Sequence, residues 1–585
     1  MRAERAVMVQ GSCIALTCIW AIYGVYCLTG DQNIPPSTKN SKAPFIINTL
    51  NSSESCGIKV KVSSLGLWSA SLDDDLAKLP IDSISGNYVR KVKDCVFSRV
   101  YPTPFTSDVH LVAVSEDVLE NLLDLDTSVA NTDDFLEFVS GRKSISGFVP
   151  LAHRYGGHQF GVWSGQLGDG RAHLIATYIN SYGERWELQL KGSGNTPYSR
   201  RGDGRAVLRS SVREFLCSEA MHYLGIPTSR AASLVVSDDA VWRDQFYNGN
   251  VKKERGAVVL RVAKSWFRIG SLEILSNSGE FHLLRELVDF IITKHFPAII
   301  RTDPDRILAF FNIIVSQTAD MIARWMAIGF AHGVCNTDNF SLLSITIDYG
   351  PFGFMESYNA DYVPNTSDDE GRYGIGNQAH AGMFNLNKLL VALSPMMDTR
   401  QKHIASTILV GFPDLYYQRF TELFRAKLGF VGAKEEDLTL IVTFLTIMQD
   451  TKADFTMSFR QLSEITDCQL WNTTIPEEYW ALHDISRHVD FAAWVNAYSQ
   501  RLKSYPDDSD SKRRQRMKIT NPRYILRNWM AESAVLKAEN NDFSEVHRLQ
   551  QVLKRPFEIQ KMAEMAGYSQ KTPEWAKDLK VSCSS

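Results

Sequence analysis

Alternation of apolar and polar positions predicts two neighbouring β-strands followed by a helix in the first half of the chain. Residues 172–179 form a largely apolar run typical of a buried strand, and residues 186–191 alternate, so Lys191 ends a half-buried strand. From 206 to 224 the apolar positions recur at helical spacing, with Glu214 in mid-helix. A lysine at a strand end and a glutamate on the next helix therefore follow in order.

Helical spacing dominates after residue 296. An apolar helix is predicted over 307–331, and the polar stretch that follows Gly333 is interpreted as a loop. Residues 341–347 are then predicted to form a short strand that ends at Asp348. Further amphipathic helices are predicted over 524–538 and 543–553.

The polar loop and the end of this strand carry the first candidate chemistry. Asn339 and Asp348 offer an amide and a carboxylate oxygen, the hard ligands that suit Mg²⁺, and Asp338 could take a proton from a hydroxyl. Asp and Asn before a strand are also common turn formers, and these residues alone leave that interpretation open.

Two glycine-rich turns lie upstream of the metal-ligand candidates. The first, 165–171, contains Gly168, Gly170 and Arg171, so backbone could approach phosphate oxygens that the arginine neutralises. The second, 198–205, holds three arginines. Hairpin turns use the same glycines to reach positive φ, which is the alternative.

Further cations fit the same binding site. Arg261 and Arg268 stand seven residues apart and could hold a polyphosphate from several sides. Protein kinases hold an ATP contact with a strand lysine paired to a helix glutamate, as Lys191 and Glu214 could do. Each charge taken singly is also compatible with a solvated surface.

The sequence closely resembles the selenoprotein O family, also called the YdiU family, from about residue 77 to the C-terminus. The motifs that carry the resemblance are YGGHQFG (155–161), GQLGDGR (165–171), LKGSG (190–194), GDGRAVLRSS (202–211), NTDN (336–339) and TIDYGPFGF (346–354). The resemblance implies an α+β, two-lobed, protein-kinase-like fold, with a mixed strand and helix N-terminal lobe and a mainly helical C-terminal lobe.

The resemblance also implies a function, protein adenylyltransfer. AMP would pass from ATP to Ser, Thr or Tyr hydroxyls of proteins, with ATP reversed relative to an ordinary kinase. By the family pattern Asp338 is the base, Asn339 and Asp348 hold Mg²⁺, and Lys191, held by Glu214, contacts phosphate. The remaining nucleotide-contacting positions are Gly168, Gly170, Arg171, Asp203, Gly204, Arg261 and Arg268.

Two positions depart from the family pattern. Many members carry a cysteine after the Asp-Tyr-Gly motif, where this chain has residues 362–365 without one. Eukaryotic relatives often have selenocysteine three residues from the end, where this chain has Cys583. A thiol is less acidic than a selenol, so a weaker redox role or an inert tail cysteine is expected.

The predicted organisation has four parts, and composition agrees with it. We predict an apolar targeting or anchor segment (1–30), a polar linker (31–76), the N-terminal lobe (77–295) and the C-terminal lobe (296–585). The 585 residues exceed what one core usually serves, and a net charge of -3 is too balanced to indicate a nucleic-acid-binding protein on electrostatic grounds, so no nucleic-acid partner is expected. The basic run 512–518 is interpreted as a solvated loop.

The first thirty residues leave the compartment open. Residues 6–30 carry no charge and could form a signal peptide or a membrane anchor. The family resemblance indicates mitochondria, which is our first expectation, and membrane attachment or the secretory pathway is the alternative. Oligomeric state is not predicted. Two other functions also stay open, a conventional protein kinase and a non-catalytic redox or scaffold protein that uses Cys583.

Overall fold

A β-sheet forms the centre of the N-terminal half. The structure is a computed structural model that describes residues 61–68, 75–145, 147–471 and 475–582. The strands in chain order are β1 Ile81–Asp82, β2 Phe97–Arg99, β3 Val109–Val114, β4 Leu151–His153, β5 Gly156–Gln159, β6 Val162–Gln166, β7 Ala172–Ile179, β8 Arg185–Lys191, β9 Ala206–Val207, β10 Arg230–Asp244, β11 Val251–Ala263, β12 Phe330–Ala331 and β13 Gly353–Phe354.

The main sheet places Lys191 in its middle. Its strand order is β1-β2-β4-β7-β8-β11-β10-β3, with β9 paired to β11. Strands β7, β8 and β11 are antiparallel neighbours, and Lys191 stands opposite Ala172 on one side and Val259 on the other. The strand predicted over 186–191 is confirmed and ends at Lys191, but the expectation that it is half-buried is wrong. Glu187 and Gln189 are buried as completely as Leu188 and Leu190, because Glu187 accepts from the Trp266 amide and Gln189 accepts from Arg261.

Helices make up most of the described chain after residue 264. In chain order the helices are α1 Leu65–Trp68, α2 Asp133–Val139, α3 Leu208–Tyr223, α4 Ile269–Asn277, α5 Phe281–His295, α6 Arg306–Ala327, α7 Gln378–Leu393, α8 Thr399–Val410, α9 Phe412–Lys427, α10 Asp437–Thr451, α11 Phe455–Leu462, α12 Asp467–Trp471, α13 Trp480–Ile485, α14 Phe491–Lys503, α15 Asp510–Thr520, α16 Asn528–Glu539, α17 Ser544–Leu553 and α18 Lys561–Met565. The predicted α+β, two-lobed, protein-kinase-like fold is thereby confirmed.

The chain around the catalytic-loop candidates differs from the prediction. Helix α6 ends at Ala327, because Gly329 takes a left-handed φ of 68° and the next residues pair as β12 with β13. Residues 341–347 form no strand. They make a tight turn in which Ser344 also has positive φ, and the apolar side chains enter the core without a continuous strand partner.

Three other predicted elements also need correction. The helix predicted over 206–224 begins at Leu208, because Ala206 and Val207 first pair with β11. The helix predicted over 524–538 begins at Asn528. The basic run 512–518 lies in helix α15 and is not a loop, and its Arg513 is buried against Asp510 and two backbone carbonyls.

The packed chain begins before the predicted lobe boundary at residue 77. Within the predicted linker, Trp68 is 1% exposed, its indole donates to the Leu123 carbonyl, and its ring stacks on Tyr178. Residues 1–60, including the predicted apolar segment 6–30, lie outside the described residues. Elsewhere in the described chain one helix, α6, has the length and apolar character of a membrane span, and it is largely buried in the protein core.

The C-terminal helices tie the two halves together. Helices α16 and α17 both pack on α3. From α17, His547 contacts the Val112 carbonyl, and Gln550 donates to the Val114 carbonyl, both on β3. The lobe boundary at residue 295 stays a prediction. Helix α17, from the C-terminal part of the chain, packs against the N-terminal sheet.

Arg527 anchors this C-terminal region through a buried ion pair. Its guanidinium donates to both carboxylate oxygens of Asp454 at 2.6 and 3.1 Å, and its side chain is 1% exposed. Asp454 in turn caps helix α11 by accepting from the Met457 amide. The pair therefore fixes the start of α16 against α11.

We expect Arg527→Ala to lower the free energy of unfolding by about 3–5 kcal/mol, since it leaves a buried carboxylate uncompensated. The measurement is urea unfolding followed by tryptophan fluorescence. Arg548→Ala is the matched control, because Arg548 is 37% exposed in its pair with Glu545 and its loss should cost at most about 1 kcal/mol. Equal losses for the two variants would contradict the anchoring role of Arg527.

Candidate active site

A cavity of about 1110 Å³ lies where the two lobes meet. Its walls combine the two glycine-rich turns and the end of β8 with the loop that follows β12. Ten of the residues predicted from sequence line it, namely Gly168, Gly170, Arg171, Lys191, Asp203, Gly204, Arg261, Asp338, Asn339 and Asp348. The two other predicted residues, Glu214 and Arg268, contact members of this set from behind the wall.

Asp348 is the electrostatic centre of the cavity. Its Oδ1 accepts from Arg261 at 2.5 Å and from Lys191 at 3.4 Å, and its Oδ2 accepts from Arg268 at 2.8 Å. Burial alone would raise the pKa of Asp348, but Arg261, Lys191 and Arg268 hold it well below the usual range. One carboxylate thus gathers three cations at a single point of the wall.

Glu214 organises the same cations from helix α3. It accepts from Lys191 at 2.8 Å and from Arg261 at 3.0 Å, so the predicted lysine–glutamate pair is present. Burial lowers the pKa of Lys191, while Glu214 and Asp348 favour its charged form. Among the residues that line the cavity, seven Lys and Arg side chains face five Asp side chains, which leaves a net positive formal charge for an anion.

Asp338 faces the cavity from the short 3₁₀ turn Thr337–Asn339. Gln159 donates to its Oδ2 at 3.2 Å, whereas its Oδ1 is buried and has no hydrogen-bond partner within the described structure. Burial raises the pKa of the Asp338 carboxyl to about 6, against the opposing effects of Arg268 and Gln159. An unpartnered, basic carboxylate oxygen is suited to accept a proton from a bound hydroxyl.

Asn339 has a fixed amide orientation. Its Nδ2 donates to the Val334 carbonyl at 2.9 Å, so Oδ1 is the atom that remains to accept or to ligate. Asn339 and Asp348 both line the cavity and offer hard oxygen donors. Two such protein ligands fit Mg²⁺, whose remaining coordination positions are usually filled by water and substrate phosphates. No group of three or more His, Cys, Asp and Glu side chains suited to a metal occurs among the described residues.

Glycines in both turns are required for close packing beside the cavity. A Cβ at Gly168, where φ is 79°, would come within 2.3 Å of the Tyr198 ring, and one at Gly204 would come within 2.2 Å of the Gly194 carbonyl carbon. This close approach brings both turns to the cavity wall. Asp203 is held there by a bidentate pair with Arg243, both contacts at 2.7 Å.

Sequence reasoning missed a buried chain of polar groups behind the cations. Asp169 accepts from the Gln189 amide at 3.0 Å, and Gln189 accepts from Arg261 through its Oε1. Gln189 precedes Lys191 by two positions and so shares its face of β8. The position of Gln189 on the same strand face as Lys191 is the sequence signal that could have identified it. Tyr155, also missed, stacks on the Arg268 guanidinium at 4.4 Å.

The C-terminal tail reaches the same region. Val581 forms a parallel bridge with Asn365, its carbonyl accepts from the Thr366 amide at 3.0 Å, and Ser582 contacts the Gln245 carbonyl. The tail therefore bridges the segment after the Asp-Tyr-Gly motif and the β10–β11 turn. Cys583 lies outside the described residues. The four cysteines within the described residues are free thiols: Cys95, Cys217, Cys335 and Cys468.

The chain matches known proteins over most of its length. The profile of the family described as protein adenylyltransferase SelO matches residues 86–554. A protein nucleotidyltransferase YdiU of Azoarcus sp. (strain BH72) is 42% identical over 517 residues, 87% of this chain and 98% of the relative. Another, from Pseudomonas fluorescens (strain SBW25), is 42% identical over 499 residues, 85% and 98% of the two chains. On this evidence the chain is a member of the SelO family of protein adenylyltransferases.

Proposed function

We propose that this protein transfers AMP from ATP to hydroxyl groups of Ser, Thr or Tyr side chains in other proteins. The observation that carries the proposal is that one cavity is lined both by Asp348, which accepts from Lys191, Arg261 and the buried Arg268, and by Asp338, which has an unpartnered carboxylate oxygen. The names of the relatives support the general class, protein nucleotidyltransferase. The assignment of ATP and of individual residue roles is our proposal.

In this proposal the cations of the N-terminal lobe bind the triphosphate. Lys191 and Arg261 donate to phosphate oxygens, Glu214 keeps both side chains aimed at the cavity, and Arg171 adds positive charge from the first glycine turn. Guanidinium groups suit this task because their fixed fork of donors matches phosphate geometry. A Mg²⁺ ion bound by Asn339 and Asp348 would neutralise phosphate charge.

Asp338 acts as the base in the transfer step. The substrate hydroxyl oxygen attacks the α-phosphorus, the bond from that phosphorus to the bridging oxygen of the β-phosphate breaks, and pyrophosphate leaves. The hydroxyl proton passes to the Oδ1 of Asp338. Gln159 donates to Oδ2, so Oδ1 is the carboxylate oxygen that has no donor within the described residues.

The experiment that tests this function uses ATP labelled on either the α- or the γ-phosphate. With the full-length protein and a mixture of acceptor proteins, we expect label on protein only from α-labelled ATP. Label from γ-labelled ATP would show a conventional kinase, and no label from either would leave a scaffold or redox protein. The two last results would each contradict AMP transfer.

A further test concerns Gln189, which links Asp169 to Arg261. We expect Gln189→Leu to raise the KM for ATP about tenfold, because Arg261 loses a buried acceptor and Asp169 a donor. The value of kcat should change less, since Asp338 is untouched. Steady-state kinetics with varied ATP provides the measurement. A fall in kcat at unchanged KM would contradict the assignment of Gln189 to nucleotide positioning.

The compartment stays a proposal from sequence. We propose mitochondrial localisation, with attachment to a membrane through residues 6–30 as the alternative. Imaging of the full-length protein and of a variant that begins at residue 31 separates the two possibilities. Loss of mitochondrial signal in the shortened protein is the expected result, and unchanged localisation would contradict a targeting role for that segment.

A further inference from the structure

The β5–β6 hairpin lies directly on the proposed catalytic loop. His158 donates its amide to the Thr337 hydroxyl at 2.7 Å, and Gln159 contacts Asp338 at 3.2 Å. The Phe160 amide donates to Asn336 at 3.2 Å and to the Tyr373 hydroxyl at 2.9 Å. The hairpin tip is therefore held beside the base by contacts from successive residues.

The tip of this hairpin exposes large apolar side chains. Phe160 is 42% exposed and Val162 is 70% exposed, and Phe160 also lines the cavity. Phe160 stands only one residue from Gln159, which contacts the base. Exposed apolar groups beside a reaction centre mark a place where another molecule can bury them.

Two cations border these apolar side chains. The Arg372 guanidinium lies over the Phe384 ring at 4.8 Å and packs so closely on Gly161 that a Cβ there would approach it to 3.0 Å. The Lys388 ammonium also lies over the Phe384 ring, at 5.0 Å from its centroid. Both cations are only partly buried. Phe160, Val162, Arg372, Phe384 and Lys388 together are termed the hairpin face.

The cations of the hairpin face are not held in ion pairs across the described residues. Lys388 acts electrostatically on the Glu273 carboxyl, which is buried and contacts His158. The nearest carboxylates in sequence to Arg372 are those of Asp368, Asp369 and Glu370. Asp368 accepts from the backbone amide of Arg372, and the other two are exposed. The face thus carries positive charge that an acidic partner would complement.

We propose that the hairpin face docks the acceptor protein, by binding an acidic segment that has an apolar residue next to the modified hydroxyl. The proposal rests on the AMP transfer proposed above and adds a substrate class to it. The apolar neighbour packs on Phe160 and Val162, and carboxylates pair with Arg372 and Lys388. The hydroxyl then meets Asp338, which lines the cavity and whose Oδ1 has no hydrogen-bond partner within the described residues.

The experiment uses the full-length protein and two synthetic peptides. Each peptide carries one serine beside a phenylalanine, and the flanks are glutamates in one and lysines in the other. The variant Arg372→Glu with Lys388→Glu reverses the charge of the face. The matched control is Lys402→Glu with Lys561→Glu, which changes the same charge at two exposed helix positions away from the cavity lining.

Two readouts are taken for each protein. One is kcat/KM for AMP transfer to the peptide, and the other is peptide binding in the presence of a non-hydrolysable ATP analogue, followed by fluorescence anisotropy. We expect the wild type and the control to favour the glutamate peptide about five- to tenfold in both readouts, and the charge-reversed variant to favour the lysine peptide. The preference should shrink as salt rises.

The outcomes separate the docking proposal from the proposed function. Transfer to both peptides at equal rates, or an unchanged preference in the charge-reversed variant, overturns the docking proposal and leaves AMP transfer intact. A reversed binding preference without transfer supports docking and counts against AMP transfer. A wild-type dimer that the charge reversal converts to a monomer, measured by light scattering, would show that a second copy covers the face and would overturn the proposal.

Discussion

Asp348→Asn should abolish metal-dependent nucleotide binding and lower AMP transfer at least about 10³-fold. The substitution removes a proposed metal ligand and also the acceptor shared by Arg261, Arg268 and Lys191. The freed cations should still attract phosphate. Nucleotide should therefore bind with an affinity that no longer depends on Mg²⁺, measured by calorimetry across a range of metal concentrations.

The matched control for this variant is Asp454→Asn. Asp454 is also a buried carboxylate paired with an arginine, but it lies in the C-terminal anchor and not in the cavity lining. It should lose stability without losing the metal dependence of nucleotide binding. If Asp348→Asn kept the full metal dependence of the wild type, Asp348 would not be a metal ligand.

Asp338→Asn should bind nucleotide as the wild type does and slow AMP transfer by about 10²–10⁴-fold, the usual contribution of a general base. The fold should be as stable as the wild type or slightly more so, because burial disfavours the charged carboxylate and the unpartnered Oδ1 gains nothing from its charge. Thermal unfolding and single-turnover kinetics measure the two effects.

Asp437→Asn serves as the control, because we expect it to lower stability and to leave AMP transfer unchanged. The Asp437 carboxylate is fully buried between Arg425 and Arg501, so its neutralisation should destabilise the fold while transfer per folded molecule stays unchanged. Full transfer by Asp338→Asn would remove that residue from the base role, whatever the stability of the variant.

The elements that hold the proposed phosphate site could be predicted from sequence because they have regular periodicity. Two-residue alternation placed Lys191 at the end of a strand, and helical spacing placed Glu214 on the next helix; the structure brings the two to 2.8 Å. The elements at the two ends of the catalytic-loop region were predicted less accurately. Residues 341–347 have the composition of a strand, but turns at Ser344 and Asp348, both with positive φ, stop it from pairing as one.

Contacts between residues far apart in the chain could not be predicted. Gln189 looked like a polar position on a half-buried strand, and only the pairing of β8 with β11 brings it against Arg261. Similarly, the residues around Arg527 in the chain indicated no role for it. The fold shows it as an anchor, because its partner Asp454 lies 73 residues earlier in the chain.

The central claim is that Asn339 and Asp348 hold a divalent ion against a triphosphate that Lys191 and Arg261 bind from the other lobe. The most direct test is a crystal structure with a non-hydrolysable ATP analogue and Mn²⁺, in which anomalous scattering locates the ion. We predict an anomalous peak within about 2.0–2.4 Å of an oxygen of each ligand, with phosphate oxygens completing its coordination. A peak elsewhere, or phosphates bound away from Lys191 and Arg261, would contradict the claim.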